Sequence, residues 1–277
     1  MRSSILITGC SPGGIGYATA HALKARGYRV FATARHIEVV EQLKEEGFDA
    51  YRLDVTDIHS MEKAVEHLLK VTGGTLDALF NNAGYGQPGA VEDISTETLR
   101  EQFETNVFGL HELTRRVTPI MRRQGHGRII QHSSVLGLIS LRFRGAYNAS
   151  KYAIEGLCDT LRLELMNTNI HVSTLNTGPV RSKFRENATK MFFKHIDMEH
   201  SVYKDEYKSE VLQHEDKKES NDLFTRNPDV VIKAVIHALE SPRPKPRYYI
   251  TGATHLLGTF KRLLSTRLLD KLLRKVQ

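Results

Sequence analysis

Tyr147 and Lys151 stand four residues apart in the run YNASK, a spacing that puts a phenol and an ammonium on one face of a helix. An unperturbed phenol titrates near ~10, and lowering that by about three units takes roughly 4 kcal/mol. A unit charge at about 4 Å in an effective dielectric of ~20 supplies roughly 4 kcal/mol, so one well-placed lysine is enough to make the phenol an acid or base. Ser134, thirteen residues upstream of Tyr147 in HSSVLG, ends a predicted strand, where a hydroxyl can donate to a substrate carbonyl that gains negative charge. Asn106 in TNVFG falls inside a predicted helix, where Asn is not favoured. That local cost is explained if its side chain holds a water or bends the helix. Each feature alone has a plain reading: a surface helix pair for Tyr147 and Lys151, a cap or turn hydroxyl for Ser134.

A second constellation surrounds the glycines of TGCSPGGIG. Gly9, Ser11, Gly14, Ile15 and Gly16 follow a short apolar run and open a helical pattern, which is the context of a turn that cradles a dinucleotide pyrophosphate at a helix N-terminus. A triphosphate loop is excluded, because no Gly-Lys-Ser/Thr closes the turn. At the end of the second strand, where an acid would bind the adenosine ribose, the sequence reads Ala34-Arg35. Loss of the acid removes repulsion of a 2′-phosphate and Arg35 can contact it bidentately, so NADP(H) is the expected cofactor; the plain alternative is a solvated arginine. Asp54-Val55 in LDVTD ends the third strand, where a carboxylate can accept from the adenine amino group. Asn82, Ala83 and Gly84 in NNAG end the fourth, where Asn can bond backbone and Gly lets the cofactor pass closely.

These residues need a scaffold that brings strand ends together. Strands are predicted at 4–8, 28–33, 50–53, 76–80, 128–132, 170–175 and 248–250, and helices at 15–26, 36–46, 58–71, 97–123, 149–167, 228–240 and 256–275. This alternation predicts an α/β fold with a doubly wound parallel sheet, a Rossmann fold in one domain over 1–277, with ligands at the strands' carboxyl ends. Residues 182–226 break the pattern, and their charge, Met and aromatic content predicts a substrate lid of short helices.

With the motifs in hand, the sequence resembles the short-chain dehydrogenase/reductase family over about residues 3–182, and most resembles its branch of hydroxysteroid and retinol dehydrogenases, acyl-dihydroxyacetone-phosphate reductases and bacterial aldehyde reductases. The resemblance implies a catalytic tetrad of Asn106, Ser134, Tyr147 and Lys151. It implies that Tyr147 donates the proton while the nicotinamide delivers hydride, that Lys151 also holds the nicotinamide ribose, and that Asn106 supports a water relay to that lysine. Pro179 and Val180 would contact the carboxamide, with Ser182 in place of the usual Thr. A homodimer or homotetramer through the helices at 97–123 and 149–167 is likewise implied. Two departures stand out: the glycine turn is one residue longer than Gly-x-x-x-Gly-x-Gly, and the usual Asn-Pro-Gly reads Asn176-Thr177-Gly178. The extra residue is expected to bulge outward at Ser11-Pro12-Gly13.

The remaining features bound the function. The 277 residues carry a formal charge of +7, but the basic residues are scattered except near the C-terminus and lack a nucleic-acid-binding signature, so no nucleic-acid partner is expected. Thirteen histidines without paired ligand spacing predict no metal site. No membrane-length apolar run or secretory signal is found, and two cysteines make no disulfide framework, so a cytoplasmic setting is expected. The tail 256–277 is amphipathic, with leucines at three- and four-residue steps between Lys and Arg. It is expected to pack or cover the substrate cleft, with peripheral membrane contact as the alternative. The combined expectation is an NADPH-dependent reductase of hydrophobic aldehydes or ketones. A steroid or retinoid alcohol dehydrogenase is the second enzymatic reading, and an NADPH-binding redox sensor without turnover is the reading from another class.

Overall fold

The computed structural model describes residues 3–209 and 225–275. Seven parallel strands form one sheet in the order β3-β2-β1-β4-β5-β6-β7. They are β1 (Ser4–Ile7), β2 (Arg29–Ala34), β3 (Asp49–Arg52), β4 (Ala78–Asn81), β5 (Gly127–Ser134), β6 (Ile170–Thr177) and β7 (Arg247–Ile250). The first half winds through α1 (Ile15–Ala25), α2 (Ile37–Glu45) and α3 (Ile58–Thr72). The second half winds through α4 (Thr96–Phe103), α5 (Leu110–Gln124), α6 (Gly145–Glu164), α7 (Phe184–His195) and α8 (Asp229–Glu240), and ends in α9 (Gly252–Leu263) and α10 (Thr266–Leu273).

Helices cover both sheet faces, which is why β1 and β4 read as continuous apolar runs rather than alternating ones. Ile5 and Ile7 of β1 face one layer, with Leu23 of α1 and Val231 and Val235 of α8. Leu6 between them faces the other, with Leu68 of α3, Val117 of α5 and Ile154 of α6. β1 pairs with β2 on one side and β4 on the other, so the chain reverses its winding direction at this point in the sheet. A crevice opens there at the carboxyl ends of the strands.

Several predicted elements differ in the structure. β4 starts at Ala78 rather than 76, because the side chain of Gln124 takes both the N–H and the C=O of Leu76. The helix expected over 97–123 is split by a π-helical segment, Glu104–Gly109, between α4 and α5. Asn106 lies in that segment, and its side chain bonds the backbone of Tyr85 instead of extending a regular helix. The single tail helix expected over 256–275 is two helices, broken at Leu264-Ser265, with Ser265 extended as the N-cap of α10. α6 begins at Gly145, four residues before its predicted start, and so includes Tyr147. Part of the expected lid, 210–224, lies outside the described residues; its described part carries α7 and helical residues 204–209.

Candidate active site

The first turn of α6 carries Tyr147, and the next turn places the Lys151 Nζ 5.4 Å from its ring centroid. Both side chains are buried. β5 ends at Ser134, whose Oγ accepts from Leu136 N–H at 3.1 Å and stands beside the Tyr147 phenol. Burial pushes the phenol above its ordinary range, with the Ser134 hydroxyl opposing that shift. The lysine charge expected to lower the phenol is outweighed by burial, and the phenol keeps its proton. The same burial pushes the Lys151 ammonium down to about 8, against the pull of Glu155. Lys151 Nζ donates to the His132 carbonyl at 2.7 Å.

Asn106 is also buried, and its amide is committed to protein partners. Nδ2 donates to Tyr85 O at 2.9 Å and Ser150 Oγ at 3.1 Å, while Oδ1 accepts from Tyr85 N–H at 3.1 Å. These bonds hold Gly84-Tyr85, in the loop after β4, against α6. A Cβ at Gly84 would lie 3.1 Å from Asn106 Oδ1 and 3.9 Å from Lys151 Nζ, so NNAG reaches the same pocket.

The glycine turn lies across the crevice between β1 and β4. Thr8 Oγ1 accepts from the N–H groups of Asn82 and Ala83, and Asn82 Nδ2 donates back to Thr8 O and Gly9 O. A Cβ at Gly16 would lie 2.5 Å from Asn82 Nδ2, so only glycine lets α1 start this close to β4. The extra residue has a partner of its own. Gly13 takes φ +79°, and its carbonyl accepts from Lys183 N–H at 3.1 Å, with the lysine stem lying over it. Ser11 O accepts from Gly14 N–H at 3.0 Å, closing a tight turn. The longer loop thus leans on Lys183, the residue that caps the start of α7. Its departure from the common spacing has a structural consequence, which the sequence did not reveal.

Arg35 follows β2 directly, exposed, with its guanidinium 3.3 Å from His36 Nε2. The register pairs Ala34 with Arg52, whose Nε donates to Arg35 O. The sequence reading did not include Arg52; the sheet register brings it to the same rim. Asp54 Oδ1 accepts from Thr56 N–H and Oγ1–H, so this oxygen serves the turn after β3. Val55 is buried against Gly109, where a Cβ would overlap the Val55 carbonyl. Ile15 opens α1 and packs into the first core layer. Beyond β6, Pro179 O accepts from Arg226 N–H and Val180 bridges Arg226, while Ser182 Oγ accepts from Phe184 N–H at 3.4 Å. These placements put the expected cofactor residues along the strand ends.

Apolar groups wall the phenol. Phe184, first residue of α7, sets its ring centroid 5.4 Å from that of Tyr147. Val135, Leu136, Ile139, Leu257, Leu269 and Leu273 form a cluster with Tyr147, so the inner face of the tail covers this end of the sheet. Leu256, Leu263 and Leu268 on the outer face are exposed. No helix among the described residues is long and apolar enough to cross a membrane. Among the same residues, no group of three His, Cys, Asp or Glu is arranged to hold a metal ion.

Comparison with known proteins identifies the family. The short chain dehydrogenase family profile matches residues 3–192. An uncharacterized oxidoreductase of Escherichia coli, YbbO, is 38% identical over 277 residues, covering 99% of this chain and 94% of that one. The NADPH-dependent 1-acyldihydroxyacetone phosphate reductase of Schizosaccharomyces pombe is 33% identical over 199 residues, 72% of this chain and 67% of that one. A crystal structure of a Streptomyces avermitilis short-chain dehydrogenase superposes with a TM-score of 0.77 at 28% identity, covering 99% and 97% of the two chains. The chain belongs to the short-chain dehydrogenase/reductase family, oxidoreductases that use NAD(P)(H) on carbonyl or alcohol groups.

Proposed function

We propose that the protein is an NADPH-dependent reductase that converts hydrophobic aldehydes or ketones to alcohols. The observation that carries this reading is the setting of Tyr147: a protonated phenol flanked by Ser134 and Lys151 and walled by Phe184, Leu257, Leu269 and Leu273. A substrate carbonyl reaches such a phenol only from an apolar cleft, and its alkyl or ring portion replaces water there. When bound, the dinucleotide supplies the hydride. Tyr147 gives its proton to the carbonyl oxygen, Ser134 Oγ–H donates to the same oxygen, and the Lys151 ammonium stabilises the phenolate left behind. Asn106 positions Gly84-Tyr85 and the π-helical bend beside Lys151.

The choice of NADPH rests on the basic rim of Arg35, His36 and Arg52 and on the absence of an acid after β2. Gly9, Ser11, Gly14, Ile15 and Gly16 would line the pyrophosphate, with Asp54, Val55, Asn82, Ala83 and Gly84 along the adenosine and ribose path. Pro179, Val180 and Ser182 would lie at the carboxamide. The test is Arg35→Asp: it should lower the NADPH-over-NADH preference by roughly 10- to 100-fold, the loss expected for one to two charge-assisted contacts. An unchanged preference would refute the assignment.

Three further features belong to this reading. Phe108, Leu157, Leu163 and Met166 are exposed on the π-helical segment, on α6 and just beyond it, and supply an apolar face for a homodimer or homotetramer. The buried free thiols of Cys10 and Cys158 suit a reducing cytoplasm. The outer leucines of the tail, set among Lys261, Arg262, Arg267 and Lys271, offer a surface for peripheral membrane contact.

A further inference from the structure

His132 was one of thirteen scattered histidines in the sequence, and its position in the fold gives it a defined state. Asn82 fixes that state. Its Nδ2 donates to Thr8 O at 2.9 Å and Gly9 O at 3.2 Å, so its Oδ1 is the atom that faces His132 Nδ1 at 2.9 Å. An oxygen acceptor there requires the proton on Nδ1. The neutral ring then offers only a lone pair at Nε2, 2.9 Å from Thr177 Oγ1, so the threonine hydroxyl must donate. Burial beside the Lys151 ammonium pushes the ring's pKa down to about 3, which keeps it neutral. The backbone of the same residue accepts from Lys151 Nζ at 2.7 Å.

Thr177 is the residue that departs from the usual proline before the carboxamide loop. Proline has no hydroxyl, and at this position it would leave Nε2 as a buried acceptor without a donor. The histidine and the threonine therefore belong together. Through Asn82 the ring reaches the glycine turn; through Thr177 it reaches the start of Gly178–Ser182; through its carbonyl it holds Lys151.

We propose that His132 and Thr177 form a cross-brace that fixes the separation of the glycine turn and the loop after β6 and registers both to Lys151. His132 is a positioning residue: it works through Asn82, Thr177 and Lys151. The proposal rests on the dinucleotide reading of the crevice, and not on the choice between NADPH and NADH. A dinucleotide spans both loops and feels their separation, whereas an adenosine fragment touches only the first.

The test uses Thr177→Val, which removes the hydroxyl at nearly constant shape, and Thr177→Ser, which keeps it. Kd is measured by calorimetry for the intact dinucleotide that the wild type binds, and for its adenosine fragment (adenosine 2′,5′-bisphosphate for NADPH, AMP for NADH). Thr177→Val should weaken the dinucleotide by about tenfold and the fragment by less than about twofold, and Thr177→Ser should recover most of the loss. Equal weakening of both ligands, no weakening, or no recovery with serine would overturn the brace. Nitrogen-edited NMR of His132 in the wild type, assigned with His132→Gln, gives a second readout that survives a folding defect in Thr177→Val. The Nδ1–H tautomer is expected and the Nε2–H tautomer would overturn the proposal. A wild type that binds neither dinucleotide would refute the crevice reading instead, while the tautomer still decides the brace.

Discussion

At the residue scale, the site is governed by burial acting on two groups in opposite directions. The Tyr147 phenol is held protonated, and the Lys151 ammonium is brought down to about 8, from an ordinary value of 10.5. In the proposed mechanism the lysine is charged below that value, where it would hold hydroxyls of the cofactor ribose and stabilise a phenolate. Above it the proton is lost and both contributions go with it. The kcat/KM for NADPH, which reports the free enzyme, should therefore fall as pH rises through about 8, while the phenol adds no lower limb. A profile flat to pH ~10, the range of an unperturbed lysine, would contradict the burial argument. His132 should leave no limb near neutrality, because its ring stays neutral down to about 3.

At the element scale, the least regular element is the one that bears Asn106. Glu104–Gly109 winds as a π-helical turn because the Asn106 side chain bonds Tyr85 and Ser150 and because Gly109 lets the start of α5 press on Val55. A methyl at Gly109 would overlap the Val55 carbonyl, which belongs to backbone and cannot rotate away. Gly109→Ala should cost about 1–3 kcal/mol, as other overpacked sites do. For a chain of this size that is a fall in Tm of roughly 2–4 °C per kcal/mol, measurable by circular dichroism. An unchanged Tm would show that α5 is free to move. Such contacts explain what was legible in the sequence. β1 and β4 were, because they are buried on both faces and read as continuous apolar runs. So was the placing of Tyr147 and Lys151 on one helix, of Ser134 at a strand end and of the glycine turn before α1, which residue type and spacing carry. The π-helical bend, the role of Gly13 against Lys183, Arg52 on the rim, and His132 between Asn82 and Thr177 were not. Each depends on a partner that only the sheet register or the crossover brings near.

At the scale of the whole molecule, the end of the chain returns to the part of the sheet that bears Tyr147. The glycine turn begins at residue 9, and the tail returns some 250 residues later to lay Leu257, Leu269 and Leu273 over the cluster that holds Tyr147. The break at Leu264-Ser265 makes this possible, since it turns α10 back toward that cluster. A straight helix would carry its last leucines off the end of the sheet. The enclosure predicts that apolar bulk on the substrate contributes to transition-state binding, at about 0.8 kcal/mol per methylene that leaves water. The most direct test is NADPH oxidation by the purified protein across a series of straight-chain aldehydes, with Tyr147→Phe run in parallel. kcat/KM should rise about threefold or more per added methylene until the apolar space is filled, and Tyr147→Phe should lose on the order of 10²–10⁴ of it. No NADPH consumption with any carbonyl, or full activity in Tyr147→Phe, would contradict the proposed reaction.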